Sequence, residues 1–162
     1  MSELRRVGAI DISEDMRHER REWVVQRVGW AAMAGFLAAA ALGLFGSGPL
    51  ARAQEGGRSL RVDYPLFARR EAPDEIRVEA ESTGPELRIG ISRDFLSENE
   101  LEAVTPEPDA TLLEAHRLVH VFRAGAGTHR VVFEVRAHHL GRQSAEVTAG
   151  HETVHLHQLV FP

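Results

Sequence analysis

EIRVEAESTGPELRIGIS, residues 75–92, decides the fold. Ile76, Val78 and Ala80 alternate with Glu75, Arg77, Glu79 and Glu81. After Ser82-Thr83-Gly84-Pro85, the residues Leu87, Ile89 and Ile91 alternate with polar neighbours such as Glu86 and Arg88. A period of two marks a strand with one face in a core and the other in water, and a Ser-Thr-Gly-Pro run marks a turn. The stretch therefore predicts a half-buried hairpin.

The same period continues on both sides. Upstream, Leu60, Val62 and Tyr64 alternate with Ser59, Arg61 and Asp63. Downstream, Leu101 and Ala103 lead into Thr105-Pro106-Glu107-Pro108-Asp109, a loop stiffened by two prolines. Four further strands are predicted at 117–123, 129–137, 143–149 and 153–161, separated by AGAGT, HHLGR and GHE. About eight short strands with no helical period predict a mainly β fold. The expected architecture is an antiparallel immunoglobulin-like β-sandwich over residues 58–162. The Cys–Trp–Cys signature of antibody domains is absent, since the chain has no cysteine.

Ahead of the strands lies VGWAAMAGFLAAAALGLFGSGPLA, residues 28–51, without a charged side chain. Hydrocarbon about 30 Å thick needs about 20 helical residues, so this run predicts a transmembrane helix, placed at 23–46. Trp23 and Trp30 sit toward its N-terminal side, where indoles favour the interface. Arg17, Arg20, Arg21 and Arg27 precede the run, against Arg52, Arg58 and Arg61 after it. That bias orients a single-pass protein of the bacterial inner membrane, with the N-terminus cytoplasmic and the sandwich extracytoplasmic. Residues 1–22 form a cytoplasmic arm, with Ser13 as the N-cap of a juxtamembrane helix, and 47–57 a stalk.

Ala51-Arg52-Ala53 also satisfies the small-x-small rule for signal cleavage, which would release a soluble module starting at Gln54. The long arm with its acids and the length of the apolar run favour an uncleaved signal anchor. Ala31, Gly35, Ala39 and Gly43 recur every fourth residue and would form a ridge of small side chains, suited to packing against a membrane-protein partner or a second copy.

The arm, the span, VDYPLFARREAPDEIRVE, the TPEP loop and the closing QLVFP together resemble small uncharacterised bacterial single-pass membrane proteins with an extracytoplasmic β-domain. The resemblance covers most of residues 23–162. It implies architecture, and neither an activity nor site residues.

Composition narrows the function. Residues 1–27 hold six acids and six arginines, so the net charge of −5 lies beyond them. A mildly acidic domain lacks the clustered positive charge of a nucleic-acid surface. Without Cys there is no thiolate nucleophile and no Cys-based metal site. No G-x-S-x-G elbow occurs and no Lys for a phosphate loop. The acidic stretch of Glu98, Glu100, Glu102, Glu107 and Asp109 lacks calcium-loop spacing and reads as a solvated edge. The chain is therefore expected to be no enzyme and to hold no cofactor.

The one unusual local composition is histidine, with eight of nine between 116 and 157. Strand directions group His116, His138 and His139 near one end and His129, His151 and His155 near the other. Three converging imidazoles would hold zinc or copper. That makes an extracytoplasmic metal-handling domain the alternative to a non-enzymatic interaction or accessory module. His155 and His157 share a strand face, and His120, between Val119 and Val121, reads as a hydrogen-bonded core or edge residue.

Overall fold

The computed structural model describes residues 12–41 and 51–162. Helix α1 spans Ile12–Ala41, followed by strands β1 (Arg52–Gly56), β2 (Leu60–Pro65), β3 (Phe67–Arg69), β4 (Pro73–Ser82) and β5 (Glu86–Ser92). A short helix α2 (Arg93–Glu98) leads to β6 (Asn99–Thr105), β7 (Ala110–Glu114) and β8 (Arg117–Arg123). The chain closes with β9 (Gly127–Ala137), β10 (Gly141–Ala149) and β11 (Glu152–Phe161).

The strands form a two-layer sandwich. One sheet has the order β1-β2-β4-β9-β6 and the other β3-β11-β10-β5-β8-β7. All pairings are antiparallel except β3 with β11, which is parallel. Within these sheets, β2-β4-β9-β6 and β11-β10-β5 follow the order of the two immunoglobulin sheets. The β7–β8 hairpin, inserted between β6 and β9 in the chain, and the outer strand β1 extend that pattern.

The expected 75–92 hairpin is not one. β4 and β5 lie in opposite sheets. Each carries one apolar face, Ile76, Val78 and Ala80 on the first and Leu87, Ile89 and Ile91 on the second, and all six are buried. Placing the strands in separate layers lets both faces cover one core. Ser82, itself buried, holds the corner: its Oγ lies 3.1 Å from the Gly84 carbonyl and 3.3 Å from that of Glu86. Among the described residues only β1–β2, β7–β8 and β10–β11 are neighbours in both chain and sheet.

The four strands expected at 117–161 are β8 to β11, with ends shifted by at most a few residues. Three strands and α2 lacked a sequence signal. In α2 only Phe95 is buried, and six residues are too short for a visible helical period. Residues 52–56, assigned to the stalk, are strand β1, paired with β2 from Arg52↔Pro65 to Gly56↔Arg61. The Arg52 guanidinium bonds the Asp63 carboxylate and, at 2.9 Å, the Glu75 carbonyl. Arg-Ala-Gln-Glu-Gly has no large apolar side chain, so polar contacts at the sheet edge place it.

In α1, residues Trp23–Ala41 are apolar enough to cross a membrane, 19 residues or about 28 Å at 1.5 Å each. This stretch is exposed almost throughout. The Arg27 guanidinium lies 4.1 Å from the centre of the Trp23 ring. Ser13, expected as an N-cap, sits inside the helix. Of the small-residue ridge, Ala31, Gly35 and Ala39 lie on α1, and a Cβ added at Gly35 would meet open space. Gly43 lies outside the described residues, as do residues 42–46 of the expected span and 47–50 of the stalk.

The core packs Ile76, Val78, Val131 and Phe133 against Ile89, Ile91, Val147 and Leu156. Tyr64 ties the layers at one side: its hydroxyl donates to Glu55 Oε1 (2.9 Å) and accepts from the His157 amide of the other sheet (3.4 Å). Phe133→Ala should cost about 3–5 kcal/mol in chemical denaturation, because a fully buried ring leaves a cavity that the two sheets cannot close. Ser82→Ala should cost about 1 kcal/mol by the same measurement, because the part-buried corner carbonyls lose their donor.

Candidate functional site

The chain enters the sandwich at Ala51, and the elements around that point form its entry end. β2 ends there at Pro65, β4 starts at Pro73, β9 finishes at Ala137, β10 starts at Gly141 and β11 ends at Phe161. Two features distinguish this end.

The first is a charged cluster. His138 Nδ1 lies 3.1 Å from Glu71 Oε1, and its Nε2 lies 3.3 Å from Glu100 Oε2. Beside it, Arg136 bonds Glu102 and, through Nη1 at 2.7 Å, the Glu71 carbonyl. Glu71 sits in the β3–β4 turn with φ of 60°, a left-handed conformation uncommon for a non-glycine residue. Both imidazole nitrogens face carboxylates, so the doubly protonated ring is the form that satisfies them. The hydrogen bond to Glu71, and more weakly Glu100, raises the His138 pKa above the usual histidine value. The same bond lowers that of Glu71.

The second feature is an open groove of about 580 Å³ whose lining includes Leu66, Phe67, Arg142, His157 and Leu159. Phe67, Leu140, Leu159 and Phe161 are 43%, 51%, 42% and 43% exposed. Below the groove the buried Gln158 donates to Gln143 Oε1 (3.0 Å), and Gln143 donates to the His139 carbonyl (3.1 Å).

The remaining histidines do not join this cluster. His138 and His139 adjoin at the entry end, but His116 precedes β8, level with Ser92 and Glu146 through the strand registers. That is about seven residues along the sheet from His139, or about 23 Å. His129 turns toward the Gly125 carbonyl (2.9 Å), His151 sits in the β10–β11 turn, and His155 lies on the opposite, outer face beside Glu146 (3.5 Å). Among the described residues no group of three His, Cys, Asp or Glu side chains is placed to hold a metal ion. The two groupings behind the alternative metal reading are spread apart, His116 lying along the sheet from His138 and His139, and His129 lying on β9 in the other sheet from His151 and His155. Glu71 and Glu100 carry no local signal, standing 67 and 38 residues from His138.

His120 is buried in the core, as its apolar neighbours suggested. Its Nδ1 lies 3.3 Å from Thr111 Oγ1, its Nε2 has no partner, and its ring packs 5.3 Å from that of Phe133. Burial lowers its pKa.

The outer face of the β1-bearing sheet holds a second groove, of about 340 Å³, bordered by Arg61, Arg77, Glu79 and Arg130. Its charges largely pair internally, Arg130 with Glu79 and Arg77 with Glu75. At the far edge of the other sheet, β7 is exposed at every position, with Leu112 45% and Leu113 63% open to solvent.

No protein-family model matches the chain, and no curated protein matches it. Among solved structures it is similar to a crystal structure of the S-layer protein SbsC, domains 4 and 5. The TM-score is 0.42 at 11% identity, covering 68% of this chain and 54% of that one. The chain thus spans about half of that structure's length.

The two perturbed histidines act on stability with opposite sign. His138, with a raised folded pKa, stabilises fully below its unfolded value of about 6.5, and this contribution fades as pH rises through the folded value. His120, with a lowered folded pKa, opposes acidification below about 6.5. His138→Gln should therefore destabilise the domain more at about pH 5.5 than at about pH 8, as read by denaturation at both pH values. Side-chain NMR titration should place His138 above and His120 below the ordinary value, with Glu71→Gln lowering the first and leaving the second.

Proposed function

We propose that this chain is a membrane-anchored accessory module, in which α1 tethers an immunoglobulin-like sandwich that docks on another protein without performing chemistry. The observation that carries this reading is where the sandwich begins. Strand β1 starts at Arg52, only eleven residues after the apolar helix is last described at Ala41. Ala51 is buried, and its carbonyl accepts from the Leu66 amide at 2.8 Å. Cleavage after Ala53 would remove Arg52, with its bonds to Asp63 and to the Glu75 carbonyl, from a folded strand. A processing site lying inside a strand of the product fits poorly, so the segment supports an anchor over a released module.

The proposed setting is the bacterial inner membrane, with the arm in the cytoplasm and the sandwich outside, as the arginine bias favours. The partner is a membrane protein or a second copy, met by the small-residue ridge in the bilayer and by exposed strand edges such as β7, which can add to a partner sheet.

Intact mass and cell fractionation of the native chain carrying a C-terminal tag test the anchor. A full-length chain held in the membrane fraction is expected, whereas a soluble product starting near Gln54 would replace the anchor with a secreted module. For the ridge, Gly35→Leu with Gly43→Leu should reduce co-purification of a membrane partner or of a differently tagged copy, and unchanged recovery would remove that contact from the reading.

A further inference from the structure

The entry end carries exposed apolar side chains and unpaired cations side by side. Phe67 is the cross-strand neighbour of Leu159, and Leu159 of Arg142. Phe161 neighbours Arg69, and Leu140 immediately precedes β10 on its other side. Among the described residues Arg69, Arg70 and Arg142 form no ion pair. The carboxylate next to Arg70, Glu71, is already bonded to His138.

The position of this patch is fixed by the tether. The Leu66 amide donates to the Ala51 carbonyl (2.8 Å), and the Leu159 amide to the Leu66 carbonyl (2.9 Å), so Leu159 lies two strand spacings from the entry point and Arg142 one further. Nine residues, 42–50, separate Ala41 from Ala51. Fully stretched they reach about 30–35 Å, and any relaxed conformation is shorter. The far end of the sandwich, at Gly84 and Gly125, stands a further strand length away, about 33 Å for the ten residues of β4.

We infer that Phe67, Leu140, Leu159 and Phe161, with Arg69, Arg70 and Arg142, form a seat on the surface of the bilayer that α1 crosses. This rests on the anchored reading above. Aromatic and aliphatic side chains enter the headgroup boundary while arginines meet anionic lipid phosphates. Because the short tether holds the domain at high effective concentration over the membrane, the contact needs little intrinsic affinity. Seating this end would fix the orientation of the sandwich and leave β7 and the far loops open to a partner.

The chain has no cysteine, so one reporter can be added at a time. Full-length Leu140→Cys and, as the far-end reference, Gly125→Cys would carry an environment-sensitive fluorophore in vesicles containing phosphatidylglycerol and nitroxide-labelled lipid. A Cβ at Gly125 meets open space. The expected result is quenching at 140 about twofold or more above that at 125, falling to the reference level when Phe67→Ser and Phe161→Ser are added. A probe at 140 that lipid does not quench and aqueous iodide does would overturn the inference. A probe shielded from both would assign the patch to a protein contact and overturn the lipid seat as well. Release of the chain by alkaline carbonate would show separately that the anchored reading had failed, and the seat with it.

Discussion

One packing constraint organises the sandwich: a core strand has a single apolar face, and strands that follow one another without forming a hairpin turn those faces toward each other across the core. Hence β4 and β5 enter different sheets, and so do β8 and β9, and β9 and β10. Corners between layers leave backbone groups that a hairpin would pair, and each needs its own partners. Ser82 supplies them between β4 and β5, and the Ala124 amide does so by donating to the Pro85 carbonyl at 2.9 Å. The central pair β4–β9 runs in unbroken register from Pro73↔Arg136 to Ser82↔Gly127, and the other strands assemble around it.

The same constraint disperses the polar chemistry. Histidines that a meander would stack at the two ends are spread over both sheets and both faces. What remains is an ion cluster around His138, a neutral core imidazole at His120 and internally paired charges on the outer face. Among the described residues, the features left open are strand edges such as β7 and an apolar corner at the entry end. On the anchored reading proposed above, such a domain would act by where it is held. Arg52 bears on that reading, because by fastening β1 to Asp63 and Glu75 it extends the folded domain back to Ala51.

Much of this was legible in sequence. Period-two runs such as 117–123 and 153–161 announce strands because a half-buried surface demands alternation. The apolar run likewise announces a helix long enough to span a bilayer. Sheet membership was not legible, because Ser-Thr-Gly-Pro makes a hairpin and a corner equally well and only the opposing layer chooses. β1 escaped notice because Ala, Gln and Gly carry no period, and its placement depends on Asp63 and Glu75, distant in sequence. The contacts of His138 were invisible for the same reason. The exposed corner at Phe67 and Phe161 was present as composition, but its nearness to Ala51 depends on the parallel pairing of β3 with β11, which no local pattern signals.

The central claim is that the sandwich reaches back to Ala51, with nine residues between it and Ala41. Amide hydrogen exchange over residues 52–56 in the full-length chain tests this most directly. Slow exchange there, lost with Arg52→Ala while β4 and β9 stay protected, is the result the account requires. Exchange at the free-peptide rate throughout 52–56, beside a protected β2, would contradict it and return the segment to a stalk.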